Sequence, residues 1–296
     1  MPDGSDRPAP ARPGFLVVPQ WQGSSSARAM CLVDGAEAVR ADLPAASTDR
    51  VEVPVEAGDD LGTAIRRLSS IEKVAAAVRQ RLAAGPAPTI LIGGDAGADL
   101  AALAAAIDGS RGDVAVAWFA AHPALHDPIS SPTGAVHRMV VRALLGDVHP
   151  ALGPAEPLAP GRIVLVGARA FDDAEAALAA ERGIAVVPPR DDAWRGSAPE
   201  AAAEWADTVA EAVAATGASR VYVHVDLDVL DPAEVGSLHF PEPFGLAVAD
   251  LVAAIGALRR RFAFAGGALT EFCPDSPDDV VADMGTVLRV VGALSR

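Results

Sequence analysis

Short runs that are apolar on both faces alternate along this chain with longer stretches whose apolar residues recur at helical spacing. The short runs, residues 15–19, 89–92, 114–119, 163–166, 184–187, 221–228 and 268–272, predict strands. Continuous apolar runs of this kind, without in–out alternation, are what a parallel sheet covered on both faces requires. The Ala-rich stretches 61–83, 97–107, 136–145, 174–181, 199–216, 247–262 and 278–294 predict helices. Alternating strands and helices imply right-handed crossovers and a helical layer on each side of the sheet, an α/β fold. No internal repeat or domain boundary interrupts the pattern. Residues 1–13, polar and Pro-rich, read as a short disordered tail, residues 14–296 as one domain, and residues 149–160 as a long surface loop.

Composition narrows the functional classes. Of 296 residues, 51% are hydrophobic, enough for a sizeable core. The net charge of −15 speaks against nucleic acid, whose phosphates need a basic surface. The short basic run at residues 259–261 fits the last turn of a helix, where the dipole favours cations. No apolar run reaches the roughly 18 to 20 residues of a membrane helix, and the N-terminus has no apolar signal segment. Cys31 and Cys273 are the two cysteines. Free thiols in a reducing, cytoplasmic setting are the expectation.

Candidate chemistry gathers at the predicted carboxyl ends of strands, where open α/β sheets bind ligands. Gly93, Gly94 and Asp95 follow one strand, residues 120–126 with His122 and His126 follow another, and Glu271 ends a late one. The glycines suit a tight turn and Asp95 suits the cap of the next helix. Trp118, among Val and Phe, reads as core. In residues 221–228, alternation places His224, Asp226 and Asp228 on one strand face. Two buried carboxylates so placed repel each other and are costly to desolvate. Either a cation compensates them, or Asp228 and Asp231 cap the turn before Pro232. Cys273, two residues beyond Glu271, is either a nucleophile or a small buried hydrophobe. No nucleophile elbow, phosphate-binding loop or dinucleotide fingerprint occurs.

Taken in order, these segments resemble the arginase, agmatinase and formiminoglutamase (ureohydrolase) family. Gly93–Asp95 stands for its Gly-Gly-Asp-His, residues 118–126 for its Asp-Ala-His-x-Asp, and residues 134–139 for its loop ending His-Gly-Met. Residues 226–232 match Asp-x-Asp-x-x-Asp-Pro, residues 240–246 resemble Thr-Pro-x-Pro-Gly-Gly-Leu, and Glu271 matches a late Glu. The resemblance implies a three-layer α-β-α sandwich around a mainly parallel, roughly eight-stranded sheet. It implies two Mn²⁺ ions bridged by a hydroxide that attacks a guanidinium or amidine carbon, and trimers or hexamers.

The resemblance also implies that ligands have been lost. His122, Asp226 and Asp228 match metal ligands, whereas Ala96, Ala120 and Ala124 fall where the family has a His and two Asp. One ion site keeps only the shared Asp226. The other keeps His122, Asp226 and Asp228, to which His224 or His126 offer nitrogen. The expected cofactor is none or one divalent ion, Mn or Zn, and not the manganese pair. His137 matches the proton-shuttling His, and Glu271 the Glu that contacts the guanidinium. His126 and Arg138, the latter where the family has Gly, are expected to meet a small-molecule ligand. An Arg there opposes a cationic substrate. Three functions follow: a binding or regulatory protein without hydrolysis, a C–N hydrolase with one metal ion, or a metal-free enzyme on an amino-acid-derived substrate.

Overall fold

The computed structural model describes residues 13–85, 88–191 and 198–296. All but the last residue of the expected N-terminal tail lies outside them. Pro13 itself is buried. Eight strands form one sheet in the order β2-β1-β3-β8-β7-β4-β5-β6. They are β1 (Gly14–Val18), β2 (Thr48–Arg50), β3 (Thr89–Gly93), β4 (Val114–Phe119), β5 (Ile163–Val166), β6 (Ala185–Val187), β7 (Arg220–Asp226) and β8 (Ala263–Thr270). Every ladder is parallel.

Each strand feeds alternate residues to opposite faces, so the sheet carries two cores. Phe15, Val17, Val223 and Val225 face α1 (Cys31–Ala41), α6 (Pro199–Ala215), α7 (Val248–Arg261) and α8 (Pro277–Ser295). Leu16, Val18, Val116 and Trp118 face α2 (Leu68–Ala84), α3 (Leu100–Ser110), α4 (Val140–Leu144) and α5 (Asp173–Arg182). All six residues of β4 are buried, and each such Val or Phe contributes about 1.5–3 kcal/mol of transfer free energy. The three-layer architecture expected from the sequence is therefore present. Helix starts follow local chemistry. Asp172 and Glu175 form a reciprocal capping box on α5, and Ser276 caps α8 ahead of Pro277.

Several boundaries differ from the sequence-based expectation. The helix expected over residues 61–83 begins only at Leu68, because Leu61, Ala64 and Arg67 take left-handed backbone conformations. Arg67 then reaches back to the carbonyls of Ser24 and Gln22. The edge strand β2, Thr-Asp-Arg, has no apolar pattern and was not predicted, nor was helix α1. The strand expected over residues 221–228 stops at Asp226, and a 3₁₀ turn, Leu227–Val229, carries Asp228.

Helix α1 sits unusually close to the segment after β8. A Cβ added at Gly35 would fall on the backbone carbonyl of Phe272. Cys31 lies one turn earlier on the same helix face, so this approach brings Cys31 to Cys273. The cysteines, expected as free thiols, are joined as a disulfide across 242 residues, with Cα atoms 4.8 Å apart. The tertiary fold makes the pair, since neither spacing nor composition distinguishes it from two isolated thiols.

Gly35→Ala should therefore destabilise the fold by roughly 1–3 kcal/mol, because overpacking against backbone outweighs a helix-propensity gain of about 1 kcal/mol. Urea unfolding checks this, and a stabilised variant would contradict the close approach.

Candidate functional site

Four adjacent central strands, β3, β8, β7 and β4, each deliver a polar residue beyond or at their carboxyl ends. Asp95 follows β3, Glu271 follows β8, Asp226 ends β7, and His122 follows β4. All four are nine-tenths buried or more.

Asp226 caps its own turn by accepting from the Asp228 backbone N–H at 3.0 Å. That turn, rather than strand alternation, aims Asp228 at His122, and His122 Nδ1 pairs directly with Asp228 Oδ2. Asp228 also accepts from the Ala121 N–H at 2.7 Å. The two carboxylates separate in acidity. Burial, then the charges of Asp228 and Glu271, hold Asp226 well above the usual carboxylate range. Burial also opposes the charge on Asp228, but His122, the Ala121 N–H and Arg169 together pull it down. The two neighbouring carboxyls are thus pushed in opposite directions, Asp226 towards keeping its proton and Asp228 towards its charge. The alternative turn-capping role falls to Asp231, which accepts from the Ala233 and Gly245 N–H groups.

Glu271 has a left-handed backbone, φ 67°, at the strand end. Its Oε1 accepts from the Ala96 N–H at 3.1 Å and lies 3.8 Å from His137 Nδ1. Its Oε2 is buried with no hydrogen-bond partner. Burial, then the neighbouring Asp95, pushes this carboxyl well above its ordinary range. An orphaned buried oxygen is what a bound ligand would satisfy. His137 bonds Ser25 Oγ at 3.2 Å, and burial followed by the Arg138 charge holds it well below the usual imidazole range, so it is neutral.

Arg138 is half-buried, with its guanidinium 5.6 Å from the centre of the Phe240 ring. The same ring stacks on His137 at 4.9 Å and stands edge-on to His239 at 4.4 Å and to His122 at 6.3 Å. Phe240 thus occupies the middle of the histidine group. His126 is tied to Ser130 Oγ at 3.3 Å and Asp172 Oδ2 at 3.2 Å. With Glu175 it forms one group whose donor spacing suits a metal ion, although Glu175 already caps α5 and accepts from the Leu125 N–H.

His224, expected as a further ligand beside Asp226, belongs to the core instead. It stacks on Trp118 at 3.6 Å, and its two ring nitrogens meet Asp99 at 2.8 Å and Thr270 at 3.5 Å. Tyr222 shares Asp99, so a buried carboxylate binds a phenol and an imidazole below the cleft. Asp95 takes the capping role expected of it, accepting from Gly97 N, Gly23 N and Gln20 Nε2. His239 and Phe240 were missed by sequence reasoning. His239 directly precedes the Phe-Pro-Glu-Pro segment, and that adjacency was the one available signal.

The manganese pair does not fit these residues. Ala96, Ala120 and Ala124, which the resemblance sets at ligand positions, are each 1% exposed and carry only methyl groups.

Fold and cleft together define a parallel α/β protein with an acidic, histidine-bearing site at its central strand ends. Residues 23–286 match the arginase family, and the chain belongs to it. The arginase of Bacillus caldovelox is 30% identical over 213 residues, 69% of this chain and 67% of that protein. The arginase of Bacillus subtilis (strain 168) is 28% identical over 61% of this chain and 59% of its own length. Among solved structures, native Bacillus caldovelox arginase at pH 5.6 superposes with TM-score 0.79 at 23% identity, covering 96% of this chain and 98% of that one. Entamoeba histolytica arginase in complex with L-ornithine gives 0.78 at 20% identity, covering 95% and 97%. Bacillus subtilis formimidoylglutamase gives 0.73 at 18% identity, covering 96% and 87%. These structures share the fold. Among the described residues no helix is long and apolar enough to cross a membrane.

Burial, partly offset by its hydrogen bonds to Gln20, Gly23 and Gly97, raises Asp95 from 3.8 to about 6. A carboxyl with a raised folded-state pKa binds its proton more tightly when folded, so it adds stability as pH falls from about 6 towards 4 and costs stability above. Relative to Asp95→Asn, the native protein should gain on the order of 2 kcal/mol between about pH 7 and pH 4. Chemical denaturation across that range checks this, and parallel pH profiles for the two proteins would contradict it.

Proposed function

We propose that this arginase-family chain does not carry out two-manganese hydrolysis and instead binds a small, amino-acid-like ligand in a binding or regulatory role. The observation that carries the reading is the trio of buried alanines, Ala96, Ala120 and Ala124, at three of the six positions where the resemblance implies metal ligands. The direct pairing of His122 with Asp228 supports it, as does the Phe240 ring among His137, His122 and His239.

Arg138 and Glu271 give the ligand its character. The guanidinium beside the cleft favours an anionic group, and the unpartnered Glu271 Oε2 is an acceptor, or when protonated a donor, for a polar one. His137, neutral at physiological pH, accepts or donates one hydrogen bond beside it. His126 completes the expected ligand contacts. L-ornithine, held by the Entamoeba histolytica arginase, has the α-amino acid group that such a cleft suits. Assembly as trimers or hexamers belongs to the same reading. Retention of His122, Asp226 and Asp228 favours one other function, C–N hydrolysis with a single bound ion, Mn or Zn.

Purified protein should release no urea or formamide from arginine, agmatine, guanidinobutyrate or formiminoglutamate above a manganese-only blank. Metal-dependent turnover that disappears in Asp228→Ala would establish the single-ion hydrolase in its place. The triple variant Ala96→His, Ala120→Asp, Ala124→Asp should raise manganese affinity by at least roughly tenfold, since it restores the donors an ion needs to displace its hydration. Manganese titration by electron paramagnetic resonance reads this, and an unchanged affinity would show that these positions do not face the ion sites.

A further inference from the structure

Beside the acidic group, and bordering it at His239, three soft or nitrogenous donors converge where α1, the loop before Phe240 and the segment after β8 meet. They are Cys31 Sγ, Cys273 Sγ and His239 Nδ1, all within 4.8 Å of one another. His239 Nδ1 lies 3.2 Å from Cys273 Sγ and 3.8 Å from Cys31 Sγ. Around a tetrahedral zinc with bonds of about 2.3 Å to sulfur and about 2.0 Å to nitrogen, adjacent ligand atoms lie roughly 3.5 Å apart. The imidazole already stands at that spacing from both sulfurs, and only the sulfur–sulfur bond has to part.

The surroundings are those of a built site. Ser24 Oγ meets His239 Nε2 at 2.7 Å, which fixes the ring and leaves the Nδ1 lone pair free for a cation when Nε2 carries the proton. The segment before His239 is registered on the Cys273 loop by the Leu238–Phe272 bridge and by the Cys273 N–H donating to the Ser237 carbonyl at 2.9 Å. Cys31 opens α1, where the helix dipole favours a thiolate, and the Arg28 guanidinium lies 4.0 Å from Cys273 Sγ. His239 and Cys273 are buried, whereas Cys31 is half-exposed and gives the group a way in from solvent.

We propose that Cys31, Cys273 and His239 form a redox-gated zinc site, closed as the disulfide and open to metal as the dithiol. In the opening step a phosphine or dithiol reductant supplies two electrons, the sulfur–sulfur bond breaks, and each sulfur takes up a proton. Zinc then binds both sulfurs with release of those two protons, while the neutral His239 imidazole donates its Nδ1 lone pair without proton loss. Three protein ligands leave the fourth position of the ion to water or a small ligand. Two thiolates and an imidazole select zinc over manganese, because soft donors disfavour the harder ion. The site shares no ligand with His122, Asp226 and Asp228 and stands whether or not the cleft reading does.

The test uses the full chain, oxidised or reduced with a phosphine, then equilibrated with zinc and desalted. Reduced protein should retain about one zinc per chain more than oxidised protein, and cobalt added to reduced protein should give a thiolate-to-cobalt charge-transfer band. Cys31→Ser, Cys273→Ser and His239→Asn should each weaken zinc binding at least roughly tenfold, and Ser24→Ala by about tenfold through its hold on the ring. Asp228→Ala should leave zinc binding unchanged, which separates this site from the acidic cleft. Absence of the cobalt band in reduced native protein, or zinc retained in full by folded Cys273→Ser, would overturn the proposal.

Discussion

The structure depends on how four buried carboxyl groups at the central strand ends are compensated. Asp95, Asp226, Asp228 and Glu271 all lie in the interior, where an unpaired negative charge is severely penalised. Backbone N–H groups of Gly23 and Gly97 hold Asp95, His122 pairs with Asp228, and burial pushes Asp226 and Glu271 well above the usual carboxylate range. Ala96, Ala120 and Ala124, buried in the segments that carry Asp95 and His122, bring no further polar side chain to these groups. Such a cleft tolerates an aromatic ring at its centre, and Phe240 is there.

The sheet order makes this concentration of charge possible. Strands β3, β8, β7 and β4 are neighbours in space but far apart in sequence, so their carboxyl ends assemble one site from four distant segments. The helices on both faces seal the strands below. Beneath the cleft, Asp99, Tyr222 and His224 form a separate buried group against Trp118, which fixes the floor without contributing a cleft ligand. On the other side, α1 and the segment after β8 approach closely enough at Gly35 to join two cysteines beside His239. Glu271 lies between the two groups, 3.8 Å from His137 and 3.9 Å from His239.

The apolar runs made the parallel sheet legible, because a strand buried on both faces can be built only from such residues. They also gave α3, α6, α7 and α8 to within a few residues. Polar β2 was illegible, since an edge strand needs no apolar face, and so was the full delay of α2, because apart from Gly62 the left-handed positions are taken by Leu61, Ala64 and Arg67, which carry no such signal. In the cleft, the Asp-x-Asp-x-x-Asp-Pro segment and Glu271 were readable as chemistry at strand ends. Strand alternation misassigned His224, because sharing a face with Asp226 does not put two side chains at the same depth.

By itself the sequence determined the fold class and the family, since both are properties of residue type and order. Tertiary structure alone decided which retained groups meet. The pairing of His122 with Asp228, the Phe240 ring against His122 and His137, and the joining of Cys31 to Cys273 are contacts across large sequence separations. Their geometry is set by how helices and loops pack on the sheet, and no local pattern encodes that packing.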